Sequence, residues 1–470
     1  MKIVISQGLD LSLQGSPKES GVYSKILPDS VSVDLRPYEA LPLKVMVHPG
    51  DEVLPGTPIA EYKNFPGTCI TSHIEGTVTE IRRGEKRVLL DVLIKPTKPQ
   101  SDPQKDAPSY DLYALSQREL LDLFKREGLF ALFKQRPLDI PALPTQTPRD
   151  VFINLADNRP FVPTPEKHLK IFPSKEIGFF TFTTGVRAIA KLFGLHPHIV
   201  FRDHTPLPTH DLTPFAHLHT ITGPFPSGSP SVHIQNIAPI IHEKDLVFTI
   251  SFSEVLSIGH FFLKGCVQRE QILALAGTGL TPEFRKHVIT TKGSSFSSLF
   301  SSNNIEKNSS LISGDPLTGR LCQEDHPHLG ARDHTIAVLN NPTQRLPFSF
   351  LRLGLHKITF TRTYLSGFFK RKRAFINPNT SLHGETRPII DTEIYNSVMP
   401  MRIPVVPLIK ALITKNFDLA CELGFLEICP EDFALPTLID PSKTEMFSIV
   451  KEALTTYAKE SGIFSQHEVL

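Results

Sequence analysis

The chain has 470 residues, 40% hydrophobic and 21% charged, with a formal net charge of +2. That length asks for two to four cores at roughly 150 residues each, the composition excludes an intrinsically disordered chain, and the near-neutral charge excludes a general drive toward nucleic acid. Its five cysteines, Cys69, Cys266, Cys322, Cys421 and Cys429, contain no C-x-x-C pair and read as reduced thiols.

From the N-terminus, the brief apolar stretch before Asp10 is too short for a secretory core, so the chain is expected to start in the cytoplasm. Nowhere does an apolar run reach the roughly 18 residues of a membrane span; the nearest, Pro404 to Ile413, is broken by prolines and a lysine. The segments HPGDEVLPGTPIAEYKN (His48 to Asn64) and ITSHIEGTVTEI (Ile70 to Ile81) read like the two halves of a biotinyl or lipoyl carrier domain. Gly50, Gly56 and Gly76 punctuate runs in which Val47, Val53, Ile59, Val78 and Ile81 fall among polar residues, the pattern of short paired strands in a flattened barrel. Lys63, the one candidate cargo lysine, lies in EYKNFPG, where Asn, Pro and Gly make an ordinary turn, and is expected to be unmodified. Lys95 to Ser109, rich in proline and charge, reads as a linker out of the barrel.

Ser116 with Glu119 three residues on has capping-box spacing, and Leu120, Leu121, Phe124 and Leu132 are expected on one helical face. VFINLAD (Val151 to Asp157), HIVFRD (His198 to Asp203) and DLVFTISF (Asp245 to Phe252) are short apolar runs ending in polar residues. Helical periodicity in GVRAIAKLFG and SEVLSIGHFFLKG fills the gaps, so the region reads as a Rossmann-like α/β layer. It lacks G-x-G-x-x-G; the loop GPFPSGSP, with Gly223 and Gly228, is the one candidate anion site nearby, and its prolines remove backbone donors. Two strand-like runs and a helix after Ser294 suit a small β-grasp domain, and the chain closes with helical patches, among them EMFSIVKEALTTYAKE with Phe447, Val450, Leu454 and Tyr457 on one side.

The loop EDHPHLGARDH, Glu324 to His334, invites a metal reading, but its spacings match no zinc signature, and its histidines are expected to be exposed. His217 and His219 carry even less of a metal signal, and Cys421 and Cys429 read as buried apolar thiols. There is no G-x-S-x-G, H-E-x-x-H or P-loop, so no catalytic, cofactor-binding or metal residue is expected. The basic runs RRGEKRV, with Arg82, Arg83, Lys86 and Arg87, and FKRKRAF, Phe369 to Phe375, read as solvated faces first and as contacts for a phosphate or an acidic partner second.

Taken in order, GLDLSLQGSP, GTVTEIRRGEKRVLLDVLI, EGLFALFKQRPLDIPA, FINLADNRPF, GPFPSG, ISGDPLTG, YNSVMP and LGFLEICPEDFAL resemble the A subunits of the sodium-translocating NADH:quinone oxidoreductases across nearly the whole chain. The chain departs from that family at SPSVHIQNI and HLGARDHTI and in having no tryptophan. The resemblance implies an α+β multidomain protein: a barrel-sandwich hybrid over 1–100, a Rossmann-like α/β domain over 101–260, an SLBB-like β-grasp over 261–330 and a mainly helical domain over 331–470. It implies a peripheral component on the cytoplasmic side of a bacterial inner membrane, assembled with five further subunits, B to F. NADH, flavins, iron–sulfur and quinone would be used through those subunits, with quinone contacted at the interface with the membrane subunit and no cofactor held by this chain alone. The alternative from another class is a flavoprotein NADH dehydrogenase subunit.

Overall fold

The structure, a computed structural model, describes residues 1–19, 23–97, 110–322, 327–341, 353, 365, 386–389 and 393–461. Most of the linker, the basic run Phe369 to Phe375 and Glu324 to His326 therefore lie outside the described residues.

Strands Val31–Asp34, Leu89–Pro96, Gly76–Arg83 and Glu52–Val53 form one sheet of the barrel, and Leu43–Val45, Pro58–Tyr62 and Cys69–Thr71 the other. Val47, Val53, Ile59 and Val78 are all buried between them, with Ile81 packed alongside. Val78 and Ile81 are an odd number of residues apart, so a regular strand would point them to opposite faces. A slip in register between Val78 and Glu80 turns both inward. Lys63 is exposed at the start of the turn joining Pro58–Tyr62 to Cys69–Thr71, where its N–H donates to the Pro42 carbonyl.

The second sheet has seven strands in the order Lys2–Val4, His217–Thr222, His198–Arg202, Asp150–Asn154, Val247–Ser251, Lys134–Arg136 and Ile140–Pro141, the first five parallel. Its central strands are apolar on both faces, as a doubly covered parallel sheet requires. Val151, Ile153, Ile199 and Phe248 pack under the helices Gln117–Arg126, Lys175–Phe193 and Phe252–Lys264. Phe152, Val200 and Ile221 face Val405, Leu408, Phe425 and Val450 of the C-terminal helices. The Ser116 capping box is present, but its helix ends at Arg126, and Gly128 turns the chain with φ +74°. Leu132 consequently sits in a separate short turn, Phe130–Leu132, and is not on the helical face expected of it.

Where the helices Lys175–Phe193 and Phe252–Lys264 cross, glycine is obligatory. A Cβ on Gly185 would stand 2.3 Å from the Val255 carbonyl oxygen, and one on Gly259 would overlap that of Thr181. The third sheet runs Arg320–Leu321, Ser309–Ser313, Thr335–Asn340, Glu270–Ala276, His287–Thr291 and Ser24–Lys25, with the short helix Phe296–Leu299 beside it. Its strand Thr335–Asn340 lies beyond the expected boundary at residue 330. The helix Met446–Glu460 buries Val450 and Leu454 as its periodicity predicts.

The first 34 residues are shared out. Lys2–Val4 joins the seven-stranded sheet, Ser24–Lys25 the third sheet, and only Val31–Asp34 the barrel.

Candidate functional site

In an open parallel sheet a ligand is seated at the carboxyl ends of the strands, where the strand order reverses. Here that point lies between Asp150–Asn154 and Val247–Ser251, because the two strands following Asp150–Asn154 add on one side and Val247–Ser251 returns on the other. The lower wall is the loop after Asn154 and the N-terminus of Phe252–Lys264, which Ser251 and Glu254 close as a capping box.

The crevice is bridged by side chains from the third sheet's domain. His334 Nε2 lies 2.8 Å from Ser253 Oγ, Arg332 Nε 3.4 Å from Glu254 Oε1, and Lys292 Nζ donates to Ser257 Oγ at 2.8 Å. From the opposite wall, Arg159 grips Asp157 with Nη2 to Oδ2 at 2.6 Å and stands 3.6 Å from Asp315. The His168 ring meets His334 edge-on at 4.7 Å. Burial pushes His168 down to about 4 and His334 well below its ordinary value, so both rings are neutral at pH 7. Burial also lowers Lys292 to about 8, against the opposing pull of Glu254. Side chains of the third sheet's region thus lie against the first two turns of the helix Phe252–Lys264, the end where a dinucleotide's phosphates would meet helix N–H groups.

Gly223 and Gly228 flank the same end of the sheet. The Gly228 N–H donates to Asn158 Oδ1 at 2.9 Å and its carbonyl accepts from Asn154 Nδ2 at 3.0 Å, while Arg202 Nη2 donates to the Gly223 carbonyl. A Cβ on Gly228 would lie 2.2 Å from the Ala156 carbonyl oxygen, so this glycine serves close packing of two loops.

The loop expected to carry exposed histidines is instead the joint of three domains. His328 is 4% exposed and sits 2.9 Å from Ser30 Oγ and 3.5 Å from Arg82 Nη2, both in the barrel. Arg332 donates to the Ala131 carbonyl, Asp333 accepts from Ser313 Oγ, and the half-buried His334 reaches Ser253. His328 and His334 point into different domains and do not converge on a metal. Only the tertiary pairing of this loop buries them; nothing in its local sequence does.

Of the basic hairpin, Arg82 is buried and clamps Asp91 through Nε and Nη2 at 2.7 and 2.6 Å. Burial alone would raise Asp91, yet Arg82 and Arg36 outweigh it and hold the carboxyl below its usual range. Arg83 and Arg87 are exposed, and Lys86 lies in the same tip, Glu85–Arg87. Cys429 is buried but not among apolar groups: its thiol donates to Asp432, Ser231 Oγ donates to its sulfur, and Arg136 donates to Ser231. Burial raises the thiol well above its usual value and raises Asp432 as well. Neither His168, Lys292 nor the Arg136–Cys429 cluster stands out in the sequence, since each lies among other polar or charged residues, as in PEKHLK, TTKGSS, KQRPLD and EICPED, and is singled out only by contacts across the fold.

Residues 3–97 match a family model described as the NqrA N-terminal barrel-sandwich hybrid domain, and residues 115–267 one described as the NqrA second alpha/beta domain. The chain is 67% identical over 469 residues to the A subunit of the Na(+)-translocating NADH-quinone reductase of Chlamydia pneumoniae, covering 100% of both chains. It is 64% identical to that of Chlamydia trachomatis serovar L2, covering 99% of this chain and 100% of the relative. With that of Yersinia pseudotuberculosis serotype O:1b the identity is 28% over 97% of this chain and 100% of the relative.

Proposed function

The chain belongs to the NqrA family, the A subunits of Na(+)-translocating NADH-quinone reductases, and from that premise we propose that it is a peripheral component of a sodium-pumping NADH:quinone oxidoreductase, supporting electron transfer to quinone without a redox centre of its own. The observation that carries this reading is the bridged crevice: Lys292, Arg332 and His334 occupy the one position where the α/β sheet would seat a dinucleotide or flavin phosphate. The alternative of a flavoprotein dehydrogenase subunit needs that position open, with glycine-rich backbone at a helix N-terminus.

No helix among the described residues is long and apolar enough to cross a membrane. Attachment on the cytoplasmic side of the inner membrane, through five partner subunits, B to F, with quinone at the interface with the membrane partner, is part of the proposal. So is the four-part division into barrel-sandwich hybrid, Rossmann-like domain, SLBB-like β-grasp and helical C-terminal domain. Arg83, Lys86 and Arg87 at the hairpin tip are the proposed partner contacts, with Arg82 supporting them through Asp91. The loop from Gly223 to Gly228 is a weaker contact, because the Gly228 amide is already engaged.

The test is to assemble the complex with and without this chain. Its omission should abolish quinone reduction while NADH oxidation by an artificial acceptor persists in the remaining subunits. One-to-one flavin in the purified chain, or NADH oxidation by the chain alone, would favour the flavoprotein alternative.

A further inference from the structure

The helix Lys175–Phe193 buries one side, where Thr181 and Gly185 meet Val255 and Gly259, and a surface helix of this kind should carry polar residues on the other. Over its first half it does not. Ile177 is 47% exposed and Phe180 57%, and with Thr184 and Arg187 they follow one another at intervals of three, four and three residues, the spacing of a single row along a helix. The Thr184 hydroxyl donates to the Phe180 carbonyl at 2.9 Å, so its polar group is satisfied within the helix itself. At about 1.5 Å per residue the row is about 15 Å long.

The far end of the row is held in place. Arg187 lies over the Phe215 ring at 4.6 Å and donates through Nη1 to Tyr113 Oη at 3.1 Å, and Lys191, one turn on, donates to the carbonyls of Leu112 and Tyr113. Tyr113 is thus fixed at its hydroxyl and at its backbone while 72% of it stays exposed. Among the described residues no carboxylate lies within ion-pair distance of Arg187, and its Nε is buried without a partner. Exposed Phe, Tyr and Arg side chains are what the centres of protein interfaces are enriched in, and side chains already fixed lose little freedom on binding. A lipid surface suits the row less well, because the exposed Glu176 borders it and Arg187 is turned onto Phe215 instead of reaching outward.

We propose that this row docks a helix of another subunit of the reductase, one that lays apolar side chains over Ile177 and Phe180 and sets a carboxylate against Arg187. A straight row of side chains at helical spacing is the surface into which a second helix packs, and the lone cation at its end asks for an acid from outside the chain. The inference rests on the reading of this chain as a component of the complex, and adds a face through which it is joined that is separate from the barrel hairpin.

The complex is assembled with the full-length chain carrying Phe180→p-benzoylphenylalanine and irradiated; a covalent product with one other subunit is expected, identified by mass. In parallel, Ile177→Ser combined with Phe180→Ser, both at exposed positions, should melt as the parent does and bind the remaining subunits at least about tenfold more weakly. Leu438→Ser, exposed on the helix Ala434–Ile439, should bind as the parent does. Should the doubly substituted chain lose its fold, the photoproduct decides. Undiminished binding by a folded double variant would overturn the proposal and leave the proposed function standing, as would the absence of any photoproduct with another subunit, including products only with lipid or with a second copy of this chain. Failure of the parent itself to bind the remaining subunits would overturn both.

Discussion

The barrel hairpin and the sheet crevice are both places where related architectures hold a cofactor, and in this chain the two are built in different ways. At the hairpin the strands and core are intact; what differs is a few exposed residues, with Lys63 leading into Asn64 to Gly67 where a carrier would display its modified lysine. At the crevice the difference lies in packing, since a second domain has laid Lys292, Arg332 and His334 across it. A seat on a turn can be lost without touching stability. A seat between domains is lost by making its walls part of the core, and those walls then become indispensable.

The sharpest way to test that contrast is a pair of glycine substitutions. Gly259→Ala, in the helix that forms the crevice wall, drives a Cβ into the Thr181 carbonyl and should cost more than about 4 kcal/mol. Gly67→Ala in the hairpin meets nothing within 4 Å and bears only the strain of φ +82°, about 1 kcal/mol. Urea unfolding of the two variants checks this, and equal losses would break the comparison.

Arg332→Ala comes next. It leaves the Glu254 carboxylate half-buried without its cation and removes a donor to the Ala131 carbonyl, so a loss of about 3 kcal/mol is expected. A loss within experimental error would mean that the bridge across the crevice is incidental.

Lys292 gives a smaller effect with a definite sign. Its folded value of about 8 lies below the ordinary 10.5, so the unfolded chain binds the proton more readily between those limits. The penalty is complete below pH 8 and is relieved as pH rises toward 10.5, so this lysine makes stability increase with pH in that window. Because the side chain keeps some contact with solvent, the gain is on the order of 2 kcal/mol. Lys292→Met should remove that increment, seen as a flatter dependence of unfolding free energy on pH than in the parent.

The least effect is expected at Lys63. Lys63→Arg should leave assembly and stability unchanged, and the intact mass of the parent should match the unmodified 52.5 kDa chain. A lipoyl or biotinyl increment there would return the hairpin to service as a carrier.

What is legible in the sequence follows the same division. Periodicity locates the strands at Val151, His198 and Val247 and the helix Met446–Glu460, because each writes its burial into its own few residues. The strand His217–Thr222 is hidden, since its buried face carries His219 beside Ile221 and so shows no apolar alternation. The joint at Pro327 to His334 is unreadable for a different reason: its polar residues are buried by Ser30, Arg82 and Ser253, partners distant in sequence. Cys429 likewise gives no sign, in EICPED, of the distant Arg136 and Ser231 that join the neighbouring Asp432 around it.

The dispersal of the first residues among three sheets has a consequence in time. Lys2 pairs with Thr220, so the leading strand emerges from the ribosome with no neighbour to dock against. At about 5–20 residues per second, roughly 10–40 s pass before that neighbour is synthesised. The barrel, whose strands all fall between Val31 and Pro96, can close within that interval. Lys2–Val4 is then made well before the strand that secures it, and the sheet's edge is completed late.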